Sequence, residues 1–134
     1  MNVLVNIDVD DLAKAIRFYG SALGLKVGRR FGDTGVEMVG YPVPIYLLLK
    51  RQATPAAATT HQCRTYERHW TPVHLDFVVE DIDVAVQKAV TAGARLEEAI
   101  ALQKWGKLAL MADPFGHGFC LVQFVGRGYD AIAE

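Results

Sequence analysis

The sequence predicts an α+β fold made of two copies of one β-α-β-β-β module. In residues 73–79, apolar side chains alternate with His74 and Asp76, which is typical of a strand with one apolar face. Asp81 follows at the expected N-cap of a helix, where its carboxylate can accept hydrogen bonds from the free N–H groups of the first turn. The same pattern ends in Asp11, 70 positions earlier (81 − 11 = 70). The repetition indicates an internal duplication.

Length, composition and charge limit the class of protein. The 134 residues suffice for one compact domain or two small modules, and 51% of them are hydrophobic, which is enough for a core. The net charge of −1 comes from interspersed acids and bases, so nothing predicts nucleic-acid binding. We expect a cytoplasmic protein, since no apolar run could cross a membrane and no signal-peptide pattern is present. Cys63 and Cys120 are then expected to be free thiols.

Module one covers residues 1–51. A helix is predicted over 11–23, and its buried stripe is expected to be Leu12, Ile16, Tyr19 and Leu23. Gly24 can end the helix in the left-handed conformation. The strands of this module are bounded by glycine or proline turns and are predicted over 3–9, 25–31, 36–39 and 45–50. The last of them is the most continuously apolar, so we expect it to be central in its sheet.

A linker over residues 52–70 separates the modules, because its first half is small and polar. Module two covers residues 71–126 and is followed by a short tail, 127–134. Its helix is predicted over 82–92, with Ile82, Val86 and Ala89 buried and Gly93 as the cap. Its first strand is predicted to end near residue 79. Three further strands are predicted over 95–100, 107–111 and 119–125.

The order of elements and several short motifs resemble the vicinal oxygen chelate superfamily, which includes glyoxalase I, extradiol dioxygenases and the fosfomycin and bleomycin resistance proteins. The matching motifs are the two strand-Asp-helix entries, Phe18-Tyr19, Leu23-Gly24-Leu25, and residues 113–121 (DPFGHGFCL), which are similar to the Asp-Pro-x-Gly-Asn-x-x-Glu-Leu of the family. The resemblance implies one domain whose two modules have curved mixed sheets that enclose a cavity. Fold alone does not decide the activity.

The resemblance also implies where metal ligands would lie. Metal-dependent members take one ligand from the first strand and one from the last strand of each module. The first-strand positions fall on Leu4 and His74, and the last-strand positions fall on Leu47 and Cys120. The placement of Leu47 is the least secure of the four. Leucine cannot ligate a cation, and two donors are fewer than divalent metals require. We therefore predict no metal and no cofactor, and the bleomycin-binding branch is the closer analogue.

His74 is the sharpest candidate for a functional group. It could contact a ligand or act as an acid or base, or it could be a histidine hydrogen-bonded to a neighbour. Asp76 lies on the same strand face, where it could orient His74, bind a ligand donor, or be a structural acid with its own partner. We treat both as catalytic candidates. The predicted ligand-binding set is Leu4, Asn6, Leu47, His74, Asp76, Cys120 and Val122.

The remaining polar and aromatic groups have plainer interpretations. Cys120 stands where the family has glutamate, and a cysteine inside a strand is usually an inert small hydrophobe. His117 is interpreted as a turn residue. His61, Cys63 and His69 could suggest a metal clip, but surface histidines are the simpler interpretation. Trp70 and Trp105 could form the wall of a pocket, or they could pack in the core or at a dimer contact.

The most economical hypothesis is a metal-independent protein that binds a small organic molecule in an apolar cavity. A glyoxalase-like lyase or isomerase that uses His74, with or without a divalent metal, is the alternative. A ligand sensor or interaction protein is the second alternative. We also predict a homodimer, because modules of this kind expose sheet edges and helix faces that commonly pair.

Overall fold

The computed structural model describes residues 1–134. The chain divides into two compact units, Met1–Glu67 and Arg68–Glu134. Each unit has a helix and a mixed sheet that is open rather than closed into a barrel, which confirms the α+β class and the duplication. No helix is both long and apolar enough to cross a membrane.

The first unit has the β-α-β-β-β order that the sequence predicts. Its elements are β1 (Val5–Val9), α1 (Leu12–Leu23), β2 (Lys26–Phe31), β3 (Gly35–Val39) and β4 (Ile45–Leu49). The strand order is β1-β4-β3-β2, and β1 runs parallel to β4. The strand β4 is therefore central, as its continuous apolar sequence predicts.

The second unit repeats this arrangement with one additional strand. Its elements are β5 (Leu75–Val78), α2 (Ile82–Ala92), β6 (Arg95–Leu96), β7 (Ala101–Gln103), β8 (Gly106–Ala112) and β9 (Gly118–Phe124). The strand order is β5-β9-β8-β6, and β7 also pairs with β8. The strand β5 is parallel to β9, as β1 is to β4. One 3-10 turn, Gly128–Ala131, follows the sheet.

The helix ends are capped as the sequence predicts. The Asp11 carboxylate accepts a hydrogen bond from the backbone N–H of Lys14 at 2.9 Å. The Asp81 carboxylate accepts from the N–H groups of the two residues that follow Ile82, at 3.0 and 3.1 Å. Gly24 and Gly93 end the helices with positive φ angles of 70° and 116°. These matching caps place α1 and α2 at equivalent positions in their units.

The predicted strand over residues 95–100 is present only at its start. Only Arg95–Leu96 pairs there, against the C-terminal end of β8. Residues Ala101–Gln103 form the separate strand β7, which pairs with the start of β8 through a two-residue turn. The turn ends at Gly106, whose φ of +155° is one that side-chain-bearing residues rarely adopt. Three residues are too few for their alternation to predict this hairpin from sequence.

The predicted buried stripe of α1 is only partly right. Tyr19 is buried as expected, but the other buried positions are Ala15, Phe18 and Ala22, whereas Leu12, Ile16 and Leu23 are half-buried. The face of α1 toward the sheet is therefore rotated from the expected one. Small alanine side chains let the helix backbone approach the sheet closely, which a pattern of large apolar residues does not reveal. The stripe of α2 is as predicted.

Residues 52–67 contain no helix or strand, as expected of a linker, but they are tied to the first unit. The guanidinium of Arg64 contacts the Asp8 carboxylate at 2.6 Å and donates to Thr54 at 3.2 Å. The hydroxyl of Tyr66 donates to the carbonyl oxygen of Lys50 at 2.6 Å. A single β-bridge joins Pro55 to Cys63. The segment is therefore a loop that hydrogen bonds and an ion pair hold against the first unit.

Substitution of Gly106 tests the hairpin. A Cβ at this position would lie 2.0 Å from the carbonyl oxygen of Gln123, in addition to the strain of the positive φ. We expect Gly106→Ala to lower the free energy of unfolding by at least about 2 kcal/mol, measured by urea denaturation. Gly126→Ala is the matched control, because φ is +61° there and no atom lies within 4 Å of the added Cβ. Its cost should be about 1 kcal/mol. Equal losses in the two variants would contradict the hairpin geometry.

Candidate functional site

Strand pairing brings three polar side chains together in the second unit. In the parallel pair β5 and β9, Asp76 lies opposite Cys120. His74 precedes β5 and lies two residues before Asp76, so it points to the same face of the sheet. The opposite face is apolar, and the rings of Phe77 and Phe119 meet edge to face there with centroids 5.9 Å apart. The alternation in the sequence therefore separates the core from the candidate site.

The three side chains form one hydrogen-bonded cluster. His74 Nε2 lies 3.2 Å from Asp76 Oδ1, and the Cys120 thiol also donates to the Asp76 carboxylate. The ligand atoms of the three side chains all lie within 4.8 Å of one another. Neither acidic nor basic member of the pair is buried, since the side chain of Asp76 is 37% exposed and that of His74 is 54% exposed. The cluster is therefore accessible to a ligand from solvent.

The Cys120 thiol is the buried member of the cluster, with only 5% of the residue exposed. Burial, followed by the negative charge of Asp76 and the hydrogen bond to it, raises the pKa of Cys120 to about 12. The thiol is therefore neutral at physiological pH, and only the thiolate is a good nucleophile. This supports the interpretation of Cys120 as unreactive in the metal-free protein.

A pocket of about 270 Å³ opens beside the cluster. All of its lining residues belong to the second unit: Arg68, Trp70, Thr71, His74, Glu97, Leu110, Met111, Gly118, Phe119 and Cys120. Trp70 contributes an indole that is largely exposed. Trp105 is not part of this lining but packs against Phe124 and Tyr129, at centroid distances of 6.2 and 5.2 Å. Of the alternatives considered for the two tryptophans, Trp70 forms part of a pocket wall and Trp105 packs against other aromatic rings.

One wall of the pocket is held by the residues just before β5. The guanidinium of Arg68 makes two hydrogen bonds to the Glu97 carboxylate, at 2.8 and 2.7 Å. This pairing lowers the pKa of Glu97 and raises that of Arg68. The ring nitrogens of His69 and His117 lie 2.9 Å apart, and the backbone N–H of His69 donates to the Gly116 carbonyl. These contacts place Trp70 next to the start of β9.

His117 lies in a turn, as its position in the DPFGHG motif predicts. The carboxylate of the buried Asp113 accepts hydrogen bonds from the backbone N–H groups of Phe115 and His117, at 2.8 and 3.0 Å. This Asx turn reverses the chain between β8 and β9. The side chain of His117 has the additional role of pairing with His69, which the sequence analysis did not foresee.

The assignment of Leu47 to the ligand-binding set is wrong by one position. In the parallel pair β1 and β4, Leu47 lies opposite Ile7, is fully buried and belongs to the apolar face. The residue opposite Asn6 is Tyr46, so Tyr46 is the true counterpart of Cys120. The run Ile45-Tyr46-Leu47-Leu48-Leu49 does not alternate, and sequence alone could not decide which side chains share a face.

The other predicted ligand-binding residues have different surroundings. Leu4 precedes β1 and Asn6 lies within it, and both are exposed in the first unit. Val122 lies on the cluster face of β9, opposite Val78, but it is buried and does not line the pocket. A ligand contact by Leu4 or Asn6 stays a prediction. His74 and Cys120 line the pocket directly, and Asp76 holds both.

A second polar group, which sequence reasoning missed, lies across the sheet of the first unit. The Tyr46 hydroxyl donates to Glu37 Oε1 at 2.9 Å, and the Arg29 guanidinium contacts both Glu37 oxygens, at 2.6 and 3.0 Å. The hydrogen bonds from Arg29 lower the pKa of Glu37 to about 2. An alternating Arg-x-Phe and Glu-x-Val on adjacent strands was the available signal. The polar groups of this set already satisfy one another.

The four-ligand metal site that the resemblance implies does not fit these residues. Leu4 has no lone pair, and Tyr46 is engaged with Glu37 and Arg29. The alternative of a metal clip formed by His61, Cys63 and His69 is not assembled either, because Cys63 contacts the His61 carbonyl and His69 pairs with His117. His74, Asp76 and Cys120 are the one group of three possible ligands. Asp76 is a third possible donor beside His74 and Cys120, the two that the resemblance implies for this module.

The two cysteines should differ sharply in reactivity. We expect a thiol reagent such as Ellman's reagent, in the presence of EDTA, to modify the exposed Cys63 quickly and Cys120 only after unfolding. Because the pKa of Cys120 is about 12, its thiolate fraction should rise about tenfold per pH unit over the accessible range below that value. Cys63→Ser should therefore abolish the fast phase. Loss of the fast phase in Cys120→Ser instead would show that Cys120 is reactive.

Comparisons with known proteins agree with this architecture. The chain is 32% identical over 119 residues to the Mycobacterium bovis protein named Mb0911c, which covers 86% of this chain and 78% of that protein. It is 32% identical over 131 residues to the anthracycline biosynthesis protein DnrV of Streptomyces peucetius, covering 96% of this chain and 43% of DnrV. A glyoxalase/bleomycin resistance protein/dioxygenase family enzyme from Burkholderia phytofirmans superposes with a TM-score of 0.70 at 20% identity, covering 91% of this chain and 97% of that one.

At 20% identity, the similarity to the Burkholderia structure shows a shared fold alone. Membership of a family is shown by the sequence relatives and by a family model. The model of the glyoxalase-like domain matches residues 4–122, which include both strand-Asp-helix entries and the DPFGHG turn. The chain therefore belongs to the glyoxalase-like domain family, within the vicinal oxygen chelate superfamily.

Proposed function

We propose that this protein binds a small organic molecule in the pocket of the second unit, with His74 as the main polar contact. The observation that carries the proposal is the position of a half-exposed His74–Asp76 pair at the edge of a pocket whose lining combines apolar and polar residues. Leu110, which pairs with Cys120 across β8 and β9 and is partly exposed, supplies apolar surface, and a few placed polar groups in such a setting are typical of ligand sites. A volume of about 270 Å³ suits a small ligand or one portion of a larger ligand.

The Asp76 contact determines what His74 can offer. In neutral imidazole one ring nitrogen carries the proton and the other accepts. Because Nε2 faces the carboxylate of Asp76, the proton belongs on Nε2, and Nδ1 is left as the acceptor. Asp76 thus acts as a positioning residue. The handle of the ligand is then a hydrogen-bond donor such as a hydroxyl or an amide N–H.

Trp70 suggests the shape of the apolar body. Its indole is 80% exposed, and it neighbours the pocket, so a planar ring could stack on it and cover surface that otherwise contacts water. The Streptomyces relative is named for anthracycline biosynthesis, which supports a small natural product as the class of ligand. The contacts proposed here involve only side chains, so binding is expected without a metal ion.

Binding can be tested by thermal shift with a library of aromatic compounds in buffer containing EDTA. A true ligand at 100 times its Kd should stabilise the parent chain by about 2.7 kcal/mol. We expect His74→Ala to weaken binding by about 1–3 kcal/mol, because the ligand loses a hydrogen bond in the pocket. Isothermal titration of each hit gives the Kd values.

His61→Ala is the matched control, since His61 is an exposed histidine in the loop of the first unit. Its Kd values should equal those of the parent chain. The Kd of Asp76→Asn should fall between those of the control and of His74→Ala, because the amide favours the Nε2–H form of His74 less strongly than the carboxylate does. Equal binding by the parent and by His74→Ala would refute the assignment of His74.

A glyoxalase-like lyase or isomerase is the second candidate, and the His74–Asp76 contact favours it. A histidine held by a carboxylate is suited to general-base catalysis. The neutral Cys120 thiol is not suited to act as a nucleophile. Turnover of the glutathione–methylglyoxal hemithioacetal, with and without added divalent metal, should then be abolished in His74→Ala and unchanged in His61→Ala. Absence of turnover in every arm excludes this substrate.

The homodimer and the cytoplasmic location stay predictions. The structure contains one chain, so size-exclusion chromatography with light scattering is the direct measurement of the oligomeric state.

A further inference from the structure

We infer that the paired rings of His69 and His117 form a pH-sensitive latch, which holds the Trp70 wall of the pocket in place and releases it when both rings are protonated. The facing nitrogens, His69 Nε2 and His117 Nδ1, lie 2.9 Å apart, and the ring centroids lie 4.8 Å apart. The latch lies entirely within the second unit. The latch itself needs no ligand, whereas its effect on ligand affinity rests on the proposed function.

The short contact between the rings limits how many protons the pair can carry. At 2.9 Å one facing nitrogen donates and the other accepts, so a single proton lies between the rings. A proton from solvent can bind the outer nitrogen of the donating ring and leave this hydrogen bond intact. A second proton would place an N–H on both facing nitrogens and a positive charge on both rings. The contact would then lack an acceptor, and charge repulsion would separate the rings.

The direction of the pH dependence follows from these proton numbers. The latched pair can take up one proton beyond the neutral rings, whereas two separated rings can take up one each. Because the released state binds more protons, the ratio of released to latched chains rises as the pH falls, by up to about tenfold per pH unit. Histidine is the side chain that ordinarily titrates between about pH 5 and 8. We therefore expect release on the acid side of this range.

The charged groups around the pair shift the pH of release but not the proton numbers. The buried Asp113 carboxylate, which accepts from the backbone N–H of His117, brings negative charge, as does the exposed Glu67 just before Arg68. Arg68 brings positive charge and is itself paired with Glu97. These charges alter the energy of each protonation state, but they supply no acceptor between two facing N–H groups.

The Arg68–Glu97 pair confines the release to the residues that follow Arg68. Hydrogen bonds from Arg68 hold the pKa of Glu97 below its ordinary value, so this carboxylate keeps its charge where histidine titrates. Arg68 therefore stays anchored in mild acid. His69 and Trp70 come next in the chain, and β5 begins only at Leu75. Separation of the rings is thus expected to move Trp70 and to leave the sheet in place.

Release of Trp70 removes one wall of the pocket. Trp70 lines the pocket together with Gly118, which follows His117 at the start of β9. Its indole is the surface on which the proposed ligand stacks. We therefore expect the pocket to hold its ligand near neutral pH and to release it when both rings of the latch are protonated.

The mobility of Trp70 in the ligand-free full chain tests the latch. In a Trp105→Phe background Trp70 is the one remaining tryptophan, so time-resolved fluorescence anisotropy with selective excitation reports on it alone. We expect the fast component of the decay to grow between about pH 8 and pH 5, because a released indole rotates faster than the whole protein. His117→Asn, which introduces the residue of the related motif, and His69→Gln should each make the decay independent of pH.

Two further histidine variants keep the pair and serve as controls in the same background. His61→Ala and His74→Ala should retain the full pH dependence, and circular dichroism at each pH checks that the fold persists. Either pair variant decides the question, so misfolding of one leaves the other. A decay that does not change with pH in the background chain would overturn the inference. So would a pH dependence that survives loss of the pair or disappears in His74→Ala.

Compounds found in the ligand screen provide the second measurement. Protonated His74 has no acceptor nitrogen, so its own titration weakens binding in acid, and the Kd is therefore compared between the parent and His117→Asn, which share His74. We expect the Kd of the parent to rise more steeply as the pH falls, by up to about tenfold more per pH unit. Equal pH profiles would overturn control of the pocket by the latch. A screen without binders counts against the proposed function, whereas the anisotropy still decides the latch, so the two failures are distinguishable.

Discussion

The candidate site depends on one constraint, which is the parallel register of β5 with β9. It places Asp76 opposite Cys120 and leaves Phe77 opposite Leu121 in the apolar core. A slip of one residue would move the Cys120 thiol to the core face and a large apolar side chain to the pocket. The hydrophobic contacts that stabilise the second unit therefore also determine the geometry of its polar cluster.

The first unit uses the same pairing with a different outcome. Tyr46 lies opposite Asn6, and its hydroxyl joins Glu37 and Arg29 in a closed set of hydrogen bonds. Glu37 is buried, and the charge that it carries is matched by Arg29. In the second unit the equivalent strands carry half-exposed donors beside a pocket. Duplication thus produced one polar face that is internally satisfied and one that is available to bind.

The residues just before β5 illustrate how an irregular segment becomes part of a site. Arg68 is held by Glu97, and His69 by His117 and the Gly116 carbonyl. Gly118 lets the guanidinium of Arg68 approach closely, since a Cβ there would lie 2.8 Å from Arg68 Nη2. Trp70 follows His69 in the chain, and these contacts hold it beside the pocket although it belongs to no helix or strand. Loops held on a rigid sheet often carry ligand contacts for this reason.

The sequence by itself determined the features that depend on neighbours along the chain. The caps Asp11 and Asp81 and the terminal glycines Gly24 and Gly93 are read from residues within one helical turn, and the duplicated module follows from their equal spacing. His74 and Asp76 could be assigned to one face because the strand alternates. Only the tertiary structure decided that Asp76 meets Cys120, because strand register joins residues far apart in the chain. It also decided that Tyr46 rather than Leu47 occupies the equivalent position, because a strand that is apolar throughout carries no local signal of which face is which.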